Sequence, residues 1–320
     1  MLIAKSNNHK RGILLSLIII LLLSLTGCTK GSEQAANIKN NQASNSFPLT
    51  ITDDMGRKVT IQTKPERIVS LVPSSTEILF ALGLGDKVVG NTTYCDYPEE
   101  AKSCTKVGGF NDPNLEIIVT LKPDLVLATN LHEKVVQGLE DVGINVLVIY
   151  PNKLEEVFNS IELIGRATGT EDKAVNITTN LRDRVKAISQ KAAQVPKEER
   201  PTVYYEMWYE PLMSVGKDTM IAELITLAGG INITDDCLEK YPQISEELII
   251  EKDPQVMINS YGHADEAITA EEIAARKGWE GVSFVKNKRI YSIESDLLEL
   301  PSPRLVEGLE KLARCLYPEQ

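Results

Sequence analysis

From Leu49 onward, apolar and polar positions alternate between strand-length and helix-length runs. Leu49–Ile61 alternates around Asp54-Met55-Gly56, which predicts a hairpin. Arg67–Leu71 reads as a short buried strand. The run Ser74–Gly83 that follows has a polar start and a terminal glycine, the brackets of a helix. Strand runs recur at Lys87–Gly90, Leu125–Thr129 and Val146–Tyr150, with a helical stretch before each of the later two. That alternation predicts an α/β lobe built on a mostly parallel sheet.

The second half repeats the plan. Thr202–Met207, Val256–Asn259 and Arg289–Ile293 read as strands, Met220–Gly229 as a helix, and Ser302 to about Leu316 as a closing helix. Glu77-Ile-Leu-Phe-Ala-Leu-Gly83 is echoed by Glu223-Leu-Ile-Thr-Leu-Ala-Gly229, with the same distance from Glu to Gly. Glu116-Ile-Ile-Val-Thr-Leu-Lys-Pro123 is likewise echoed by Glu247-Leu-Ile-Ile-Glu-Lys-Asp-Pro254. Between the halves, Ala174, Ile177, Leu181, Val185, Ile188 and Ala192 make one apolar stripe on a helix from Glu171 to Gln194, about 35 Å long. The expected fold class is therefore two similar α/β lobes with mostly parallel sheets, joined by one long rigid helix. The polar side of that helix, with Lys173, Arg182, Asp183, Lys186 and Lys191, reads as solvated surface.

The residues before the first lobe read as an address and a tether. Lys5, Lys10 and Arg11 precede an uncharged apolar run, Ile13–Leu25, of about 20 Å as a helix, short of the roughly 30 Å of a bilayer core. Leu25-Thr26-Gly27-Cys28 resembles the bacterial lipobox, in which the cysteine is lipidated and becomes the mature N-terminus. Thr29–Ser46 is too polar to bury anything. The expected organisation is a signal peptide over 1–27, a lipidated Cys28 with its tether over 28–47, a first lobe over 48–170, the linking helix over 171–194 and a second lobe over 195–320. The protein is expected outside the cytoplasm, anchored to the cell membrane by Cys28.

Charge and chemistry narrow the function. The formal net charge is −11, and loss of Lys5, Lys10 and Arg11 with the signal peptide lowers it further, which disfavours nucleic acid as a partner. No phosphate-binding loop and no GxSxG elbow is present. Beyond the signal peptide only His132 and His263 remain, too few for a three-imidazole metal site, and each reads as a surface histidine. Tyr94, Tyr97, Phe110, Trp208, Tyr209, Tyr241 and Tyr261 fall in loops, which at strand ends of facing lobes line the cleft where ligands of such folds sit. Cys95, Cys104, Cys237 and Cys315 are expected to form two disulfides outside the cytoplasm, with Cys95–Cys104 and Cys237–Cys315 the pairing favoured among three connectivities.

Arg67-Ile-Val-Ser-Leu-Val-Pro-Ser-Ser-Thr-Glu-Ile-Leu-Phe-Ala-Leu-Gly83, Tyr94-Cys-Asp-Tyr-Pro98, Val107-Gly-Gly-Phe110 and Asn114-Leu-Glu-Ile-Ile-Val-Thr-Leu-Lys-Pro-Asp-Leu-Val126 resemble the substrate-binding proteins of ABC importers for vitamin B12 and iron-siderophores. The resemblance runs from about Leu49 to Leu316 and is nearest to the vitamin B12 branch. It implies that Tyr94 and Phe110 meet a corrinoid, that Tyr241-Pro-Gln-Ile-Ser245 faces it from the other lobe, and that Asp296 touches it. Two departures from that branch are Phe110, where tryptophan is expected, and Leu297-Leu298-Glu299-Leu300, where an aromatic and an arginine are expected. Glu116 and Glu247 match the acidic residues by which the family docks on its permease. The implied protein is a monomer without catalytic residue, metal or cofactor. The partners it implies are the permease with its ATPase, a cargo that in this branch is cobalamin, and the membrane. An iron-siderophore or haem is the alternative cargo, and a cell-surface hydrolase the alternative of another class.

Overall fold

A computed structural model describes residues 46–261 and 268–319. The lipobox and Cys28 lie outside the described residues, as does His263. β1 (Leu49–Thr52) and β2 (Lys58–Ile61) pair antiparallel as the predicted hairpin. The Asp53 carboxylate clamps the turn, accepting from the backbone N–H groups of Met55 and Arg57 and from the Arg57 guanidinium.

The first lobe holds a five-stranded parallel sheet built from β3 (Ile68–Ser70), β4 (Val88–Asn91), β5 (Thr105–Lys106), β6 (Leu125–Ala128) and β7 (Val146–Val148), in the order β5-β4-β3-β6-β7. The second holds β8 (Thr202–Glu206), β9 (Ile231–Asn232), β10 (Val256–Asn259) and β11 (Ile290–Ser292), parallel in the order β11-β10-β8-β9. β3, β6, β7 and β10 are buried along their whole length, which explains sequences that are apolar apart from Ser70 and Asn259 at two strand ends. β5 and β9 escape the sequence pattern because two residues carry no alternation.

The linking helix spans Glu171–Ala192. Its apolar stripe joins one continuous hydrophobic cluster that runs from the first sheet, through Ala174 and Leu181, to Leu305–Leu316, the closing helix. The lobes therefore share a core as well as a connector. The expectation of a wholly solvated polar side fails at Arg182, which donates to Glu155 at 2.6 Å and to Glu162 at 2.7 Å on the neighbouring helix Leu154–Ala167.

Both repeated signatures have structural counterparts. Lys122 and Asp253, each just before a proline, share the left-handed conformation at φ 48° and 41°. Glu77 and Glu223 each reach across to the opposite half, Glu77 to Arg304 and Glu223 to the backbone N–H of Leu154 at 3.0 Å. Close packing is strictest at Gly308 on the closing helix, where a Cβ would stand 1.9 Å from the Leu297 carbonyl oxygen. Gly308→Ala is expected to cost about 2 kcal/mol by forcing that backbone apart, measured as a lowered midpoint in urea.

The expected disulfides are absent, and all four described cysteines are free thiols. Cys95 Sγ sits 3.2 Å from the hydroxyls of Thr76 and Thr92 inside the first lobe, whereas the Cys104 thiol donates to the Val88 carbonyl at 3.5 Å. Those two thiols are held by different partners rather than by each other. Cys237 lies in the loop after β9, beside Asp236 and Lys252, while Cys315 lies near the end of the closing helix, by Arg289.

Candidate functional site

Parallel strands end together, so the loops that leave their carboxyl ends gather on one rim. In the first lobe Val72–Ser74 follow β3, Tyr94 and Asp96 follow β4, Thr129 and Leu131 follow β6, and Ile149–Asn152 follow β7. In the second lobe Asp218–Met220 follow β8, Lys240 and Tyr241 follow β9, and Asp296 and Glu299–Pro301 follow β11. Together with Phe110 and Asn111 they enclose a cleft of about 670 Å³ between the lobes. This volume is within the usual range of small-molecule sites.

Four of the sequence-predicted ligand residues, Tyr94, Phe110, Tyr241 and Asp296, line this cleft. Tyr94 and Tyr241 present exposed rings from opposite lobes. Val107-Gly-Gly-Phe110 sets the Phe110 loop. Gly108 has φ +110°, and a Cβ there would lie 2.7 Å from the Asp112 carbonyl oxygen. His132 fixes the same loop from behind, with Nε2 2.6 Å from the Phe110 carbonyl and the two rings edge to face at 5.3 Å. The expectation of a surface histidine is therefore wrong for His132, which is 2% exposed and pushed below the ordinary imidazole range by burial. Its Nδ1 accepts the Thr129 N–H at 3.4 Å, which leaves the proton on Nε2.

Trp208 does not line the main cleft but an adjoining recess of about 530 Å³, which shares Tyr241 and Glu299 with it. Tyr209 lines neither. Its ring covers the Arg276 guanidinium at 3.8 Å, on the lobe's own apolar cluster. Arg276 is held there by Glu206, a buried carboxylate that accepts from Arg276 Nη1 at 2.7 and 2.8 Å, from Tyr204 at 2.7 Å and from Tyr261.

The sequence reading missed one group behind the cleft and one that lines it. Arg304 clasps Glu77 of the first lobe with Nε and Nη2, lies 3.8 Å over the Tyr97 ring, and comes within 3.7 Å of Asp296. Glu299 opens onto the cleft on one side, yet protein crowds it on the others, and that burial pushes its carboxyl up. One of its oxygens accepts from Ser260 Oγ at 2.5 Å, with Tyr205 Oη 3.2 Å away. Its place seven residues after the end of β11 was the only signal available. Among the described residues lining the cleft are four carboxylates, Asp96, Asp218, Asp296 and Glu299, and one cation, Lys240, with Arg304 behind the lining 3.7 Å from Asp296.

Glu116 and Glu247 stand apart from the cleft, each exposed in the first turn of a helix, Leu115–Thr120 and Glu246–Lys252. Hydrogen bonds at the helix start, from its own backbone and from Ser245, hold the Glu247 carboxyl below its ordinary range.

Two α/β lobes on one connecting helix, with a concave site walled by strand-end loops of both, define a substrate-binding component of a transporter rather than an enzyme. The chain belongs to the periplasmic binding protein family, whose profile matches residues 68–297. It is 37% identical over 319 residues to the uncharacterized ABC transporter substrate-binding lipoprotein YvrC of Bacillus subtilis, covering 97% of this chain and 98% of that one. It is 32% identical to the vitamin B12-binding protein of Vibrio vulnificus, over 79% of this chain and 91% of that protein. A crystal structure of a possible iron-binding periplasmic protein from Staphylococcus epidermidis superposes with a TM-score of 0.69 at 31% identity, over 80% of this chain and all of that one, 100%.

Proposed function

We propose that this protein captures a corrinoid, cobalamin or a near relative, in the cleft between its lobes and hands it to an ABC permease from the membrane surface, where Cys28 anchors it. The observation that carries the choice of cargo is the charge of the cleft, four carboxylates against one lysine among its described lining residues. Haem carries two carboxylates, and catecholate complexes of iron are anionic. Either one would bring negative charge into a negative, partly desolvated site, at a cost that low dielectric enlarges. A corrinoid macrocycle bears neutral carboxamide arms, presents donors to those carboxylates, and offers broad faces to Tyr94, Phe110 and Tyr241. The name of the Vibrio vulnificus relative supports the same cargo.

A second reading, an uncharged or cationic iron chelate such as a ferric hydroxamate, suits the same charge and agrees with the name of the Staphylococcus epidermidis protein. Titration of the purified soluble part with cobalamin, cobinamide, haem and a ferric hydroxamate, followed in each ligand's visible spectrum, separates the two. Saturable shifts with the two corrinoids and none with haem are expected. Binding of the iron chelate alone overturns the corrinoid reading in favour of the second.

A further inference from the structure

The recess beside the cleft has a composition that the corrinoid reading does not yet use. Trp208 and Tyr241 are 58% and 48% exposed, and Met207 and Met213 add further apolar lining. The Trp208 ring is tied down by its own N–H, which donates to the Glu210 carbonyl at 2.9 Å. The charged group common to this recess and the main cleft is Glu299.

Glu299 is not a loose surface carboxylate. Tyr205, fully buried, donates to Ser260 at 2.5 Å, and Ser260 donates at 2.5 Å to Glu299 Oε1, a relay that holds that oxygen in place. No described residue donates to the other oxygen, Oε2. A fixed acceptor with a free oxygen, at the mouth of an apolar recess, fits an arm made of methylenes that ends in an N–H donor.

Resting on the corrinoid reading, we infer that the recess is a second compartment of the cleft that takes a carboxamide arm of the ligand, with Glu299 as the residue that distinguishes amide from carboxylate. The arm's methylenes pack between Trp208 and Tyr241, and its terminal N–H₂ donates to Glu299 Oε2. A ligand carboxylate in the same place meets Glu299 with Asp296 close by, like charges with no described cation lining the recess to offset them. Rejection by an unpaired buried group discriminates more sharply than loss of apolar contact.

The test compares two ligands of one skeleton, cobinamide with its amide arms and cobyrinic acid with carboxylates, on wild-type protein, Glu299→Gln and Ser295→Phe. Wild type is expected to prefer cobinamide. Glu299→Gln keeps shape and removes charge, so cobinamide weakens by about tenfold, cobyrinic acid tightens, and the preference collapses. Ser295→Phe, which fills the recess from its rim, is expected to weaken cobinamide by a similar factor with the urea midpoint unchanged. Equal changes for both ligands in Glu299→Gln, or cobinamide binding at wild-type strength with the recess filled, overturn the inference alone. Failure of wild-type protein to bind either corrinoid overturns the cargo reading and the inference together.

Discussion

Arg304→Ala is expected to cost the folded protein about 3 kcal/mol. The Glu77 side chain is 4% exposed and that of Arg304 19%, so the pair is largely out of water. Two guanidinium nitrogens meet the two carboxylate oxygens, a forked geometry that lysine does not reproduce. Truncating the arginine leaves a buried carboxylate without its partner and strips the cover from Tyr97. Because Glu77 lies in the first lobe and Arg304 just before the closing helix of the second, the same change loosens the two against each other. Urea unfolding measures the loss. The double change Glu77→Gln with Arg304→Met should recover most of it, since no buried charge then remains unpaired. A loss below about 1 kcal/mol, the range of an exposed pair, would falsify the assignment of this contact as a buried brace.

Combined replacement of Glu116 and Glu247 by alanine is expected to abolish transport while leaving ligand affinity in solution unchanged. Both residues are exposed, both sit at helix starts, and neither lines the cleft. As the proposed permease contacts, the two would act together, so removing one would convert a bivalent dock into a monovalent one, on the order of 100-fold weaker, and removing both would leave nothing to hold. Pull-down on membranes containing the permease, run beside a cobalamin titration, reads the two effects separately. A double variant that docks normally, or that loses ligand instead, ends the assignment.

Much of this fold was legible because its signals are local. The hairpin at Leu49–Ile61 and the stripe that marks Glu171–Ala192 are each written within one stretch of chain, and the helix ends within two residues of the expected Gln194. The cleft aromatics were legible in part, since a loop at a strand end is a statement about topology. Tyr209 shows the limit of that rule, because its ring goes to Arg276, a partner well downstream in the sequence. Arg304 was invisible for the same reason, as its carboxylate partner is 227 residues away. The cysteines misled because compartment and count argue for pairing, whereas pairing depends on where the folded backbone puts each sulfur.

Those unpaired cysteines bear on how the chain survives where we place it. The nucleophile of thiol exchange is the thiolate, a few per cent of an ordinary cysteine at neutral pH. Burial pushes the thiols of Cys104, Cys237 and Cys315 above their ordinary range, which makes that anion scarcer still. Cys95, 1% exposed, is closed to small oxidants by packing. In the extracytoplasmic location we propose, these four sulfurs would offer little thiolate, and the described structure holds together without a disulfide among them.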